Sequence, residues 1–389
     1  MTAHDPDAFE PLILDALHVP ASQLRMICRQ LAPAHERHSK IAVLRTVLVQ
    51  AGRHGTSFQL TDLDLTIRVQ ADDLTCQKPW RACVPFALLQ RLAATFDGIL
   101  RLTHVKAPAE DPYLMDRLTI TADDGTSATI NLICRPDDFP QLPETLDDPP
   151  AWHVLPMTQA QLRRYLDLAA HCISREETRY YLNGLWVCRK PGETTLRAVA
   201  TDGHRMAVID GGVAAPEGIG TIIPTVAVRT MRSLTDAKAN EPAMLLLHKD
   251  AHRMRLVFGN LLIDCKTIDG KYPDYTRVIP QNPTRASVTL TAVSLRRLTP
   301  FMSDMTSAVC FRAGLATLRN PTLGEVSIAA PMTLAEGADP MEIGFNLRFI
   351  DAQARLTPTF RMDFISPSDP CRIHSEDPSA LWILMPMRV

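Results

Sequence analysis

The sequence predicts an α+β protein of three similar domains, each with two helices packed on antiparallel sheet. Three observations predict it: a long internal period, amphipathic helical stripes, and alternating strand pairs joined by tight turns. The period is read from Val19-Pro20-Ala21-Ser22-Gln23-Leu24-Arg25, which matches Leu155-Pro156-Met157-Thr158-Gln159-Ala160-Gln161-Leu162-Arg163 and Leu290-Thr291-Ala292-Val293-Ser294-Leu295-Arg296. The aligned leucines 24, 162 and 295 are 138 and 133 residues apart. Val84-Pro85-Phe86 matches Ile223-Pro224-Thr225, and Phe139-Pro140 matches Tyr272-Pro273, at steps of 139 and 133. Periods this long mark domains, because solenoid units repeat at about 20–50 residues. The Pro-rich stretches Leu142 to Pro150 and Pro280 to Pro283 place the boundaries, giving domains 1–150, 151–281 and 282–389.

Within each domain the order reads strand, helix, strands, helix, strands. The first helices carry Leu24, Ile27 and Leu31, then Leu162, Tyr165, Leu166 and Ala169, then Leu295, Leu298 and Met302. The second helices carry Phe86, Leu89, Ala93 and Phe96, then Val228, Met231 and Leu234, then Phe349, Ala352 and Leu356. These spacings put an apolar stripe on one helix face, to be covered by a sheet. Leu118, Ile120 and Ala122 alternate into Asp124-Gly125 and out through Ile130 and Leu132; Met254, Leu256 and Phe258 alternate into Gly259-Asn260. Both read as hairpins.

A chain of 389 residues exceeds one ordinary core, in agreement with several domains. It is 46% hydrophobic and 22% charged, the balance of a globular protein. It has no apolar run of about 18 residues, so no membrane span is expected. Its start, Met1-Thr2-Ala3-His4-Asp5, has no basic-then-apolar leader pattern. Nine cysteines are scattered without a Cys-x-x-Cys pair, which fits reduced thiols and a cytoplasmic location.

The formal charge is −2, which argues against a basic tail or a wholly basic nucleic-acid binder. The distribution of charge is more informative than its total. The helical windows 22–32, 86–97, 159–171, 225–238, 292–304 and 346–357 together carry +7, leaving −9 for the rest of the chain. Their arginines include Arg25, Arg29, Arg91, Arg163, Arg164, Arg229, Arg232, Arg296 and Arg297. Basic helices on an acidic body attract phosphate to one surface and repel it from the other. The modest density suits loose contact with the backbone of double-stranded DNA, without base readout.

Thr201-Asp202-Gly203-His204-Arg205-Met206-Ala207 follows a strand of alternating Leu196, Ala198 and Ala200. Together with Lys271-Tyr272-Pro273-Asp274-Tyr275-Thr276-Arg277-Val278-Ile279-Pro280 and Met385-Pro386-Met387-Arg388-Val389, it resembles the peptide-binding pocket of the bacterial DNA sliding clamp, the beta subunit of DNA polymerase III. The resemblance runs from about residue 11 to 389. It also rests on Glu177-Thr178-Arg179-Tyr180-Tyr181-Leu182-Asn183-Gly184 and Glu342-Ile343-Gly344-Phe345-Asn346, with weaker support from Asp138-Phe139-Pro140-Gln141-Leu142-Pro143 and Asn320-Pro321-Thr322-Leu323-Gly324-Glu325.

The resemblance implies a non-enzymatic processivity factor. Two chains would close head to tail into a ring of six domains, with sheets outside and helices lining a hole for the duplex. It implies a pocket between the second and third domains for peptides of the replicative polymerase, the clamp loader and other clamp-motif proteins. The matching positions are Leu182, Thr201, Gly203, His204, Arg205, Met206, Pro273, Arg277, Val278, Ile383, Met385, Pro386, Met387 and Arg388. The methionines would give a floor able to repack around different partners, and the arginines could hold peptide carbonyls or carboxylates. Gly203 fits a positive φ or a close approach. Tyr180, Tyr181, Arg37 and His38 match family positions near DNA, while Arg179 matches a supporting position; as strand residues the tyrosines would instead be core. Ile130 and Leu132 on an edge strand, facing Phe301 and Met302, are the implied dimer contacts. No cofactor or metal is implied.

The chain departs from the family in several places. An acidic extension of about ten residues opens it. Ile41-Ala42-Val43-Leu44 stands where a Leu-Pro-Ile-Leu pattern is usual, and His38 where arginine is common. Met206 and Val389 both replace a leucine, and Pro300 falls inside the first helix of the third domain, which it should kink or shorten. A second-copy clamp would fit these differences. A protein-only scaffold that binds peptides without encircling DNA is the alternative, and a metal-dependent hydrolase using Asp202 and His204 a distant third, since no His-Glu-x-x-His, Cys-x-x-Cys, Gly-x-Ser-x-Gly or P-loop pattern occurs.

Overall fold

The computed structural model describes residues 16–107, 115–142, 151–190, 192–249, 252–304 and 306–388. The acidic extension, most of the first Pro-rich boundary and Val389 lie outside them. The chain folds as two compact units, one comprising the described residues up to Val154 together with Glu241–Lys266, the other Leu155–Asn240 with Thr267 onward.

One local pattern, a strand, a helix and three strands, occurs six times along the chain. Its helices are α1 (Ala21–Leu31), α2 (Phe86–Thr95), α3 (Gln159–Ala169), α4 (Thr225–Leu234), α5 (Ala292–Leu295) and α6 (Leu347–Ala354). All the pairings described between strands are antiparallel, as the α+β reading expects.

In the first unit, Trp80–Pro85, Thr46–Gly52, Gly55–Thr61 and Leu65–Ala71 lie side by side. They continue through Leu261–Lys266, Arg253–Phe258, Pro242–His248 and Trp152–Thr158 as one eight-stranded sheet. The join sets Ile67 opposite Ile263. In the second unit, Gly220–Pro224, Gly184–Arg189, Thr195–Thr201 and Arg205–Ala214 continue through Ala380–Leu384, Cys371–His374, Thr359–Phe364 and Ala286–Thr291, with Met332–Leu334 as a ninth strand. Here the join sets Met206 opposite Ile383.

Two further sheets stop at four strands. Leu17–Pro20, Ile99–Val105, Arg117–Thr121 and Ser127–Asn131 form one in the first unit; Ile343–Asn346, Ala308–Arg312, Leu315–Asn320 and Gly324–Ala329 form the other in the second. Ser127–Asn131 and Gly324–Ala329 are the outer strands of these sheets, and each is the last strand of its six-fold pattern. The strands at the two joins are also last strands of their patterns.

The helices bury most of the faces their spacing predicts, though Phe96, Leu234 and Met302, at the ends of their stripes, are only half-buried. Leu24, Ile27 and Leu31 of α1 and Leu162, Tyr165, Leu166 and Ala169 of α3 are all buried. α1, α2 and α4 start directly after Pro20, Pro85 and Pro224, so the proline echoes in the sequence mark helix starts. α3, α5 and α6 start after Thr158, Thr291 and Asn346, whose side chains accept from the amides of Gln161, Ser294 and Arg348 and satisfy otherwise unpaired donors. In α6 the core residues are Leu347, Ile350 and Ala354, whereas Phe349 and Leu356 are only half-buried. That corrects the stripe read from Phe349, Ala352 and Leu356.

Three other expectations change. The window 292–304 contains only one turn of α-helix, followed by a 3-10 turn, Thr299–Phe301, with Pro300 in its first positions where its missing N–H costs nothing. α4 stops at Leu234, so Asp236 and Lys238 follow it. Ile130 and Leu132 are each 3% exposed. Their side chains are buried within their own unit and are not an exposed apolar contact. Phe301 and Met302 are half-buried. At the predicted hairpin tip, Gly125 has φ +86° and the Thr126 amide donates to Asp124 Oδ1 at 2.8 Å.

Candidate functional site

The site is built on the turn between Thr195–Thr201 and Arg205–Ala214. Thr201 Oγ1 accepts from the Gly203 amide at 3.1 Å and donates to the Arg205 carbonyl at 2.8 Å. Asp202 Oδ1 accepts from the His204 and Arg205 amides, each at 3.0 Å, and Oδ2 accepts from Arg205 Nε at 2.9 Å. Gly203 has φ +87°, and a Cβ there would lie 2.9 Å from Arg179 Nη1. The positive φ is what favours glycine here, since the arginine tip can move aside. Arg179 pairs with Glu176 at 3.2 Å. Both Asp202 oxygens serve the turn itself, which corrects the reading of Asp202 and His204 as a catalytic or metal-binding pair. Among the described residues no group of three or more His, Cys, Asp or Glu side chains could hold a metal.

Beside this turn, Leu182, Met206 and Ile383 share one apolar cluster with Tyr272 and Tyr275. Leu182, Met206 and Ile383 are at most 5% exposed, so they form a floor. The ring of Trp186 stacks on Tyr272 with centroids 5.5 Å apart and stiffens it. Above the floor, Pro273, Val278, Met385 and Met387 are exposed. Arg277 projects into solvent with Asp274 at 3.2 Å as its partner. The final segment is held by its backbone: the Met385 amide donates to the His204 carbonyl and the Met387 amide to the Gly344 carbonyl, both at 2.8 Å. Pro386 sits between them and Arg388 is exposed. Leu182, Met206, Tyr272 and Ile383, from four separate stretches of sequence, are thus brought into one cluster.

The structure adds one residue. Phe349 of α6 lies under the Arg205 guanidinium at 4.5 Å and 6.2 Å from the His204 ring. In the sequence it was counted as helix core; its half-exposed place beside the turn is set by the i, i+3, i+7 burial of Leu347, Ile350 and Ala354.

The basic residues divide into two groups. Arg25 Nη1 donates to the carbonyls of Ala93 and Phe96 at 3.0 and 2.9 Å, at the end of α2. Arg163 Nη1 donates to the carbonyls of Arg232 and Thr235 at 2.7 and 2.6 Å, at the end of α4. The repeat pairs these two arginines, and each closes the C-terminus of the second helix, where carbonyls and dipole favour a cation. Arg164 is held by Asp377, Ser379 and the Asp210 carbonyl, and Arg232 by Asp167 at 2.7 Å. By contrast Arg29, Arg229, Arg296 and Arg297 are exposed and without an ion-pair partner among the described residues. Arg91 is exposed and bonds only to its own helix, and Arg37 and His38 lie on an exposed turn. Tyr180 and Tyr181 are in a 3-10 segment, Glu177–Leu182, and not in a strand; Tyr180 is 55% exposed.

A six-fold α+β pattern with sheets joined end to end, and an apolar cluster beside the Thr201–Met206 turn, is the architecture of a DNA clamp. Comparison with known proteins agrees. Residues 156–274 match the family described as the central domain of the DNA polymerase III beta subunit. The beta sliding clamp of Caulobacter vibrioides is 31% identical over 375 residues, covering 91% of this chain and 94% of the relative. That of Escherichia coli is 28% identical over 65% of this chain. Among solved structures, the Bartonella birtlesii DnaN sliding clamp bound to griselimycin superposes with a TM-score of 0.83 at 25% identity, covering 97% of this chain and all of that one. A Caulobacter crescentus beta sliding clamp gives 0.83 at 28% identity, covering 96% and 99%. The chain belongs to the beta sliding clamp family, and its function is that of a DNA polymerase processivity clamp.

Proposed function

We propose that two copies close head to tail into a ring that encircles double-stranded DNA without reading its sequence, and that the cleft beside the Thr201–Met206 turn tethers polymerase and other clamp-motif proteins by short peptides. The observation that carries the ring is the pair of four-stranded sheets. Each completed sheet joins the last strand of one pattern to the last strand of another, three helices away along the chain: α1 with α4, and α3 with α6. Continuing that rule pairs the last strand after α2, Ser127–Asn131, with the last strand after α5, Gly324–Ala329. Made between copies, this pairing removes both free edges, which are otherwise templates for uncontrolled association, and it gives two identical contacts about a two-fold axis. Phe301 and Met302 would flank that contact.

Light scattering at micromolar concentration is expected to give twice 43.2 kDa; a strict monomer would overturn the ring. The loaded complex is expected to leave linear DNA by its ends and to remain on nicked circles. Equal loss from both would leave the protein-only scaffold.

The three-domain division at 150 and 281 is part of this reading, supported by two helices in each segment. Of the basic residues, Arg29, Arg91, Arg229, Arg296 and Arg297 are proposed to meet phosphate, with Arg37, His38, Tyr180 and Tyr181 at the edge. Arg25, Arg163, Arg164 and Arg232 contribute positive potential while their heads hold the fold. Reversing Arg29, Arg229 and Arg296 to Glu is expected to weaken DNA association and to lower its salt slope by about one per lost phosphate contact. An unchanged slope, measured by titration from low to moderate salt, would move the DNA surface elsewhere. The protein is proposed to be non-catalytic and cytoplasmic. Among the described residues no helix is long and apolar enough to cross a membrane, and all nine cysteines are unpaired.

A further inference from the structure

A cavity of about 600 Å³ lies in the second unit, bounded by the Asp202–Arg205 turn, the exposed side of α4 and the segment from Ala170 to Glu176. Its acidic groups are already spent: Asp202 on Arg205, Asp167 on Arg232, and Glu176 on Arg179. Its basic groups are not. Arg175 and Arg229 are exposed at its rim and have no ion-pair or hydrogen-bond partner among the described residues. Among the described residues the Arg205 side chain hydrogen-bonds through Nε only, with its guanidinium over the Phe349 ring, so its two terminal nitrogens make no bond to them. His171 lines the same space, and burial, then the charge of Arg205, pushes its imidazole down to about 4. The cavity thus holds two uncompensated positive charges and a third guanidinium whose donors are oriented but unused.

We propose that this cavity binds a small phosphoryl oxyanion of the phosphate or pyrophosphate class, held by Arg175, Arg205 and Arg229. A dianion balances the two free charges. Tetrahedral oxygens can meet three separate guanidiniums, whereas a planar carboxylate is satisfied by one fork. The same chemistry could come from a free ion or from the terminal phosphate of a nucleic acid. The site shares Arg205 with the proposed peptide cleft and Arg229 with the proposed DNA face, and goes beyond both readings in holding a discrete small ion.

The test is calorimetric titration of the full-length protein with sodium pyrophosphate at low ionic strength, without divalent metal, together with thermal melting. Submillimolar binding and a rise in Tm are expected. Arg229→Gln should weaken binding at least tenfold, the loss of a charge-assisted contact. Arg117→Gln, which removes an equally exposed charge from the strand Arg117–Thr121, should leave it unchanged. No heat and no Tm shift would overturn the proposal, as would equal weakening by both variants, which would mean general electrostatic attraction. Because Arg229 is also proposed to meet duplex phosphate, some competition by any duplex is expected; clearly stronger competition by a 5′-phosphorylated duplex than by the same duplex without the phosphate would identify the source as a terminal phosphate, and competition far weaker than by the free ion would identify the free ion; either supports the site. Competition by an unphosphorylated duplex as strong as by the free ion would overturn it. Because no readout involves peptide binding or ring closure, failure here leaves the clamp reading intact.

Discussion

Removing Met385–Val389 is expected to abolish capture of a clamp-motif peptide while leaving the fold and the assembly unchanged. Leu384, 2% exposed, is the last residue packed in the core, and the strand Ala380–Leu384 is paired on both sides by Arg205–Ala214 and Cys371–His374. Beyond it, Met385 and Met387 are 37% and 38% exposed and reach the protein through single backbone hydrogen bonds. They therefore cost the folded chain little to lose. In the proposed cleft they would supply much of the apolar wall, at about 25 cal/mol per Å² covered. Losing two methionine walls together with Pro386 should weaken binding by about 100-fold or more. Fluorescence polarisation with a labelled peptide measures this, and light scattering supplies the control. Affinity within threefold of the full-length protein would mean that the cleft is elsewhere.

The second large effect concerns stability. Asp264 is completely buried and bonds Arg255, which is 2% exposed, and also Arg253, across the hairpin of Arg253–Phe258 and Leu261–Lys266. Arg255 also lies 5.2 Å from the Trp152 ring. Asp264→Ala removes a fully buried carboxylate that bonds two guanidiniums, which for a buried pair costs about 3–5 kcal/mol. For a unit of this size that lowers Tm by roughly 10 °C. Calorimetry should show the loss. Adding Arg255→Met to Asp264→Leu should recover part of it, since the more deeply buried guanidinium goes with its partner, while Arg253, 23% exposed, keeps its charge within reach of water. If Asp264→Ala melts within 2 °C of the parent, the network contributes little.

Much of the fold was legible in residues. The i, i+3, i+7 leucines located helices, because burial on one face is a local property of the chain. Pro85 and Pro224, aligned by the repeat, located helix starts. Gly203 announced a positive φ because few other residues tolerate one. The cleft was legible only through resemblance: Leu182, Met206, Val278 and Met387 are far apart in sequence, and no periodicity connects them. The errors have one physical source. Phe349 and Ile130 are apolar residues at apolar spacings, and the sequence does not say which of two adjacent faces is the core. Folding places Phe349 outside, under Arg205, and Ile130 inside. The arginines misled similarly: Arg25 and Arg229 look alike in sequence, yet one closes a neighbouring helix and the other faces solvent.

The end-to-end joining of sheets has a mechanical consequence for a closed circle of two copies. Such a circle contains six equivalent seams, four of them spanned by continuous polypeptide and two crossed by nothing covalent. A machine that prises the circle apart need not recognise a weak spot, since only those two can part without unfolding a chain. Five or six residues of ladder on each side set the work required, and the strength of that short zip fixes how long DNA stays captive.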